Sequence, residues 1–305
     1  MIARWLLLAL ITLTGGCISA LHQGAPEVHD RDGARPVEAH DALRVMTINL
    51  AHGRGNGFHQ AFQSAATAKE NLGRVAEFLR DHDPHVVALQ EADAPSSWSG
   101  NFDHVAWLAT QADYPWATHG THAEGIGQEY GTAVISRLAK VDRRAHTFPG
   151  AVAATPKGFT QATVRGPGGR AVDVVSVHLH PLGRGRREAQ LATLAEIFST
   201  RSRPLIIMGD FNTEWEGGTS ELAAFAQTMR LQAWLPEATD LETYPRMGRR
   251  LDWILISDEL EFVESRVHDE VLSDHRAVSA KLRLRDARPL RARTFVDYRG
   301  MPVIP

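Results

Sequence analysis

Short apolar runs that end in polar residues, alternating with amphipathic stretches, restrict the fold of this chain more than any other feature. From Leu43 onward, Leu43–Leu50, Val86–Leu89, Gly131–Ser136, Val172–Leu179, Leu205–Met208 and Leu251–Ser257 read as buried or half-buried strands. Phe262–Val267 and Ala277–Leu284 alternate apolar and polar side chains, as half-exposed strands do. Leu72, Val75, Ala76 and Leu79 fall at helical spacing and predict a helix over Lys69–Asp81. Leu191, Leu194, Ala195 and Phe198 repeat that spacing and predict a second over Arg186–Thr200. Alternation of this kind builds α/β architecture. Nothing between 43 and 285 reads as a linker, so one domain over residues 42–285 is expected; a chain of 305 residues, 43% hydrophobic, can fill its core.

The first residues stand apart from that pattern. Arg4 gives residues 1–16 a positive start, Trp5–Leu13 is an apolar run too short to span a bilayer, and Thr14, Gly15 and Gly16 are small. This reads as an export signal. Cys17 follows at once and is the only cysteine, which excludes a disulfide within the chain and any cysteine-based zinc site. Leu13–Cys17 resembles a bacterial lipobox, with Thr14 standing where leucine is usual; the alternative is plain secretion with cleavage near Ala20. The expectation is an exported protein, periplasmic or anchored to a membrane through lipidated Cys17. Residues 17–41 then form a tether, and the Pro- and Arg-containing residues 286–305 an irregular tail. A net charge of −3 argues against a protein that coats nucleic acid by bulk positive charge.

Candidate chemistry gathers just after the apolar runs, where α/β folds bind ligands. Asn49 ends Val45–Asn49, and Glu91 follows Val86–Gln90. A strand-interior Asn is costly unless its amide is satisfied, so Asn49 belongs to a network or to a ligand. His178 and His180 have the spacing of many zinc sites, but one buried and one exposed imidazole explains the pair equally well. Leu205–Met208 feeds a Gly209 turn, after which Asp210 and Asn212 project together. Asp252 interrupts an apolar strand and needs a partner. Ser273, Asp274 and His275 offer one, since a carboxylate orients an imidazole and raises its basicity.

In order and chemistry, Thr47–Asn49, Leu89–Glu91, Val177–His178, Gly209–Asn212, Leu251–Trp253 and Ser273–His275 resemble the motifs of the endonuclease/exonuclease/phosphatase superfamily. Gly131–Arg137 looks like its central strand, and the likeness covers about residues 43–284. It implies a four-layer α/β/β/α sandwich of two mixed β-sheets. It also implies Mg²⁺-dependent hydrolysis of phosphate esters, with Mn²⁺ as an alternative ion. In that scheme Glu91, Asn49 and Asp274 hold the metal, in keeping with the preference of Mg²⁺ for oxygen ligands. Asp210 orients or deprotonates the attacking water and Asn212 positions it. His275, paired with Asp252, stabilises charge or acts as the base. His178 occupies the place of a second histidine in the deoxyribonuclease-like members and is a candidate general acid. The choice of base between Asp210 and His275 stays open, and His180 is read as structural.

The loops choose the substrate. Ala51–Ala68 is long and Gly-rich, and its Arg54 is a phosphate contact or a solvated arginine. Arg184 and Arg187, with Arg186, grip a second phosphate or form a solvated helix start; Arg246, Arg249 and Arg250 pose the same choice. Trp98, Trp107 and Trp116 are scattered and read as core or rim, so no aromatic-interleaved basic stripe is present. Export leaves extracytoplasmic nucleic acid, a phospholipid headgroup or a small phosphoester as substrate. No protein partner is implied, and a monomer is expected. A non-catalytic surface-anchored binding protein that keeps the fold is the alternative reading.

Overall fold

Successive residues of the central strands are apolar on both faces, so each sheet requires a cover on each side. The computed structural model describes residues 26–149 and 155–285, with the backbone of two short strands at 295–296 and 302–303. The expectations for residues 1–16, Cys17 and the rest of the tail lie outside the described residues.

In chain order the elements are β1 (Glu27–Asp30), β2 (Leu43–Asn49), α1 (Ala65–His82), β3 (Val86–Asp93), α2 (His104–Gln111), β4 (Trp116–Gly125), β5 (Gln128–Ser136), β6 (Lys140–Thr147), β7 (Gly158–Arg165) and β8 (Ala171–His178). There follow α3 (Arg184–Phe198), β9 (Leu205–Asp210), α4 (Glu221–Met229), β10 (Leu231–Ala233), β11 (Asp252–Ser257), β12 (Leu260–Val267), β13 (Val278–Leu284), β14 (Phe295–Val296) and β15 (Pro302–Val303). The first sheet runs β1-β4-β5-β3-β2-β13-β12 and the second β10-β11-β9-β8-β7-β6. Both are mixed: β2–β3 and β8–β9 pair in parallel, their other neighbours antiparallel.

The strand period of two sorts side chains into three apolar layers. Leu43, Val45, Val86 and Ala88 of the first sheet meet Val172, Val174, Ile206 and Met208 of the second between the sheets. The alternate residues Met46, Ile48, Val87 and Leu89 face outward onto Leu72, Val75 and Leu79 of α1 and Val105 and Leu108 of α2. Val175, Val177, Leu205 and Ile207 face outward onto Leu191 and Leu194 of α3 and Leu222 and Phe225 of α4. The result is the four-layer α/β/β/α sandwich. Burying one such Leu or Val contributes roughly 1.5–3 kcal/mol.

Several boundaries differ from expectation for local reasons. Helix α1 starts at Ala65 because Ser64 caps it, its Oγ accepting the Thr67 N–H at 3.1 Å. The last part of the Gly-rich loop is therefore helix. Within the expected tether of residues 17–41, of which 17–25 lie outside the described residues, Glu27–Asp30 form β1 at the edge of the first sheet, where Glu27 pairs with His119 and Asp30 with Trp116. In the tail, β14 and β15 pair antiparallel.

Strand direction brings the polar residues to one end. Asn49 lies beside Gln90 on parallel β2 and β3, and His178 beside Asp210 on parallel β8 and β9. Because β11 runs antiparallel to β9, its first residue Asp252 pairs with Asp210. Because β13 runs antiparallel to β2, with Val278 opposite Thr47, the segment before it returns Asp274 and His275 to the same end.

Candidate active site

Asp210 is the centre of the cluster. It is buried; its Oδ1 accepts the Asn212 N–H at 2.9 Å, and its Oδ2 accepts the Asn49 amide at 3.1 Å across the two sheets. The same Oδ2 lies 3.5 Å from His178 Nε2 and 3.8 Å from His275 Nε2. Burial pushes the Asp210 carboxyl up to about 7, against the opposing pull of His275. Asp252 receives His275 Nδ1–H at 2.7 Å, and its other oxygen, buried, has no partner. Burial alone would lower the His275 pKa; Asp252 and Asp210 outweigh it and raise it to about 10. Tyr244 packs its ring against His275 at 4.8 Å.

Backbone geometry aims two of these groups. Asn212 has φ 53°, and Glu91 has φ 47° at a register shift between Gln90 and Ala92. Such left-handed conformations cost about 1 kcal/mol or more outside glycine, and a bulge turns a side chain out of the ladder. Gly209 has φ 150°, and a Cβ there would collide with the Val177 carbonyl oxygen, so only glycine lets β9 approach β8 before Asp210.

Glu91 and Asp274, expected to share a metal, meet at one cation. Arg54 contacts Asp274 Oδ2 through one guanidinium nitrogen and Glu91 Oε2 through the other at 3.7 Å. Burial would raise the Glu91 pKa, but His52, Lys157, His178 and Arg54 hold it below the usual carboxylate range. Two carboxylates converging on one positive group are a fitting donor set for a hard divalent ion. Asn49 is turned differently: its Oδ1 accepts the Ala51 N–H at 3.0 Å and its Nδ2 serves Asp210. Asp210, Asp252 and His275 also bring one donor atom each within 4.8 Å of one another. Their nitrogen and the Asp252–His275 hydrogen bond suit Mg²⁺ less well.

Other expected groups are engaged elsewhere. Arg184 pairs with Glu188 at 2.9 Å, and Arg187 with Glu221 at 2.6 Å on the α3–α4 side, so neither guanidinium is held ready for phosphate. His180 bonds Leu182 and Arg186 and diverges from His178, which makes the His-x-His pair no metal chelate. Asn212 anchors its amide on the Leu179 carbonyl at 2.9 Å.

Three residues enter the site without having been singled out. Lys157, nearly completely buried, reaches His178 Nδ1 at 3.3 Å and so directs the His178 Nε2–H toward Asp210. Burial and Lys157 push the His178 pKa well below the ordinary imidazole value. His52 places Nδ1 2.7 Å from Asp93 Oδ1 and Nε2 3.3 Å from Glu91 Oε2, between the rings of Trp98 and Tyr130. Asp93 is pinned in turn by the Trp98 indole N–H at 2.9 Å. A cue was present in the sequence: His52 lies three residues past Asn49, and Asp93 two past Glu91.

A family model described as the Endonuclease/Exonuclease/phosphatase family matches residues 46–275, which contain every residue of this cluster. The chain belongs to the endonuclease/exonuclease/phosphatase family. Members of the family are hydrolases of phosphoesters, typically dependent on a divalent metal. An endonuclease/exonuclease/phosphatase structure from Beutenbergia cavernae matches 80% of this chain and 72% of its own, with TM-score 0.65 and 24% identity. The human Nocturnin catalytic domain matches 85% and 98%, with TM-score 0.58 and 20% identity. A mannosyl-6-phosphatase of Bacteroides thetaiotaomicron matches 79% and 99%, with TM-score 0.60 and 16% identity. At these identities the shared property is the fold. A sphingomyelinase of Mycobacterium tuberculosis is 39% identical over 84 residues, which are 27% of this chain and 17% of the relative.

Proposed function

We propose that this family member is a Mg²⁺-dependent phosphoester hydrolase, exported and held at a membrane through lipidated Cys17, acting as a monomer. The observation that carries the hydrolase reading is the buried Asp252–His275–Asp210–His178–Lys157 line beside the converging Glu91 and Asp274 carboxylates. Glu91 and Asp274, with Asn49 nearby, would hold Mg²⁺, which supplies positive charge to the phosphoryl oxygens. The protein's own groups handle the proton. Asp210 orients the attacking water and accepts its proton, while Asn212 fixes the Asp210 carboxylate. Asp252 holds the His275 Nδ1–H, so that the Nε2–H of His275 faces the reacting centre and stabilises negative charge there. His178, its tautomer set by Lys157, gives the Nε2 proton to the departing oxygen while Lys157 passes a proton to Nδ1, so the imidazole stays neutral. One P–O bond forms to water and one breaks to the leaving group. Arg54, already at the two metal-binding carboxylates, marks where the phosphate arrives. Substrate candidates remain an extracytoplasmic nucleic acid, a phospholipid headgroup and a small phosphoester.

The test is hydrolysis of bis(p-nitrophenyl) phosphate with Mg²⁺ or Mn²⁺. Asp210→Ala and His275→Ala should each lower kcat by roughly 10²–10⁴, and chelation should abolish turnover. A wild-type protein inert on every phosphoester with either metal would sink the enzyme reading in favour of a binding protein. Incorporation of a palmitate analogue, lost in Cys17→Ser, checks the anchor.

A further inference from the structure

We infer that the rim of the active site docks on a phospholipid bilayer, so that the substrate is a headgroup phosphoester presented by that surface; this rests on the hydrolase reading above. Among the described residues, the three most exposed large apolar side chains are Ile126, Phe58 and Phe62, at 105%, 88% and 81%. They come from two separate loops yet form one rim. Phe58 stacks on Phe62 at 6.4 Å, Phe62 meets His59 at 5.8 Å, and His59 meets Trp98 at 6.0 Å. The Trp98 N–H then bonds the Gly127 carbonyl, beside Ile126 at the tip of the β4–β5 hairpin. Trp98 also lies 4.9 Å from His52, whose Nε2 faces Glu91, so the rim is continuous with the catalytic cluster.

Shape, charge and connectivity select the occupant. Side chains this exposed are projecting tips that insert between headgroups, as the apolar face of an interfacial segment does. The charges beside them are mixed: Glu124 and Glu129 pair across the hairpin below Ile126, and Arg246 reaches the Asn56 carbonyl next to Gly57 and Phe58. Carboxylates at the tip oppose a polyphosphate chain, which is bound through clustered cations, but suit zwitterionic headgroups. The chain also enters the fold at this end. Glu27 pairs with His119, which pairs with Ala133, level with Leu89 on β3. His119 to Ile126 is roughly 23 Å of strand, and the ten steps from Cys17 to Glu27 reach at most roughly 35 Å. A lipid on Cys17 can thus sit in the same bilayer that the rim touches.

The experiment uses the mature chain from residue 17 with Cys17→Ser, which removes both the apolar leader and the lipid and isolates the rim. Cosedimentation with phosphatidylcholine vesicles should fall by about tenfold or more in F58S/F62S and again with I126S. Hydrolysis of soluble bis(p-nitrophenyl) phosphate should stay unchanged in these variants, while hydrolysis of vesicle phospholipid falls with binding. Vesicle binding that is absent, or unaffected by the substitutions, overturns the proposal. So does loss of single-stranded oligonucleotide binding in its place, which would make the aromatics a base-stacking platform. A wild-type chain that binds vesicles but hydrolyses no phosphoester overturns the hydrolase reading and the substrate assignment, leaving only the docking surface.

Discussion

Lys157 places its ammonium within the field of both Glu91 and Asp210 while touching His178 Nδ1 at 3.3 Å. Burial lowers its pKa and the charges of Glu91 and Asp210 oppose this only in part; removing Lys157 frees the His178 ring to adopt the other tautomer. Lys157→Met keeps the volume and loses the donor; kcat should drop by roughly a hundredfold with KM little changed, and Lys157→Arg should recover part of it. Steady-state kinetics with a far-ultraviolet circular dichroism control decides this; a kcat within twofold of wild type would assign Lys157 to packing. Such residues explain which parts of the site were legible. Asp210 and Asn212 follow an apolar run closely and Asp252 interrupts one, so they announce themselves by their cost, and His275 is legible as the partner Asp252 needs. Lys157 and His52 sit in loop-like sequence without periodicity, and only the fold reveals their partners.

At the scale of elements, the strands that anchor the site were readable and several of their neighbours were not. Leu205–Asp210 and Asp252–Ser257 are all-apolar centres covered on both faces. By contrast β4 and β7 bury His119, His122, Thr160 and Thr163, whose hydrogen bonds to backbone, to Thr132 of β5 and to Asp173 of β8 are invisible in a hydropathy pattern. Helices α2 and α4 span only eight and nine residues, too few turns for a convincing stripe. Gly209, expected as a turn, instead pairs within β9 with Val177 and Trp253, and that close approach makes the sharpest element-level prediction. Gly209→Ala forces a Cβ onto the backbone of β8 and should destabilise the fold by at least roughly 2 kcal/mol, shifting the urea midpoint down without changing the slope. A midpoint equal to wild type would show that β8 and β9 can separate at no cost.

For the molecule as a whole, the strand and helix periodicities foretold an α/β fold, and the layered sandwich came from the resemblance to the family; the order of strands within each sheet was not foreseeable, because pairing partners leave no local trace. Buried histidines set the acid limit of the fold. Burial chiefly lowers His85 and His268 to about 4 and His122 to about 3, with help from Arg44 at His85, from His82 and Arg266 at His268, and from His119 and Lys157 at His122. Between the ordinary value near 6.5 and these values the unfolded chain binds more protons than the native one, so the contribution of these three histidines is complete above pH 6.5 and declines below it. The loss should be on the order of 2 kcal/mol per histidine by pH 4, and His268→Gln should flatten the decline measured by urea unfolding across that range. Strand β1 carries a last consequence. Its four residues cap the outer edge of β4. A chain trimmed to start at residue 42, where the apolar pattern begins, would present the bare backbone of β4 to other copies. Sticky edge-to-edge self-association, visible as concentration-dependent light scattering, is the outcome expected of that trimmed form.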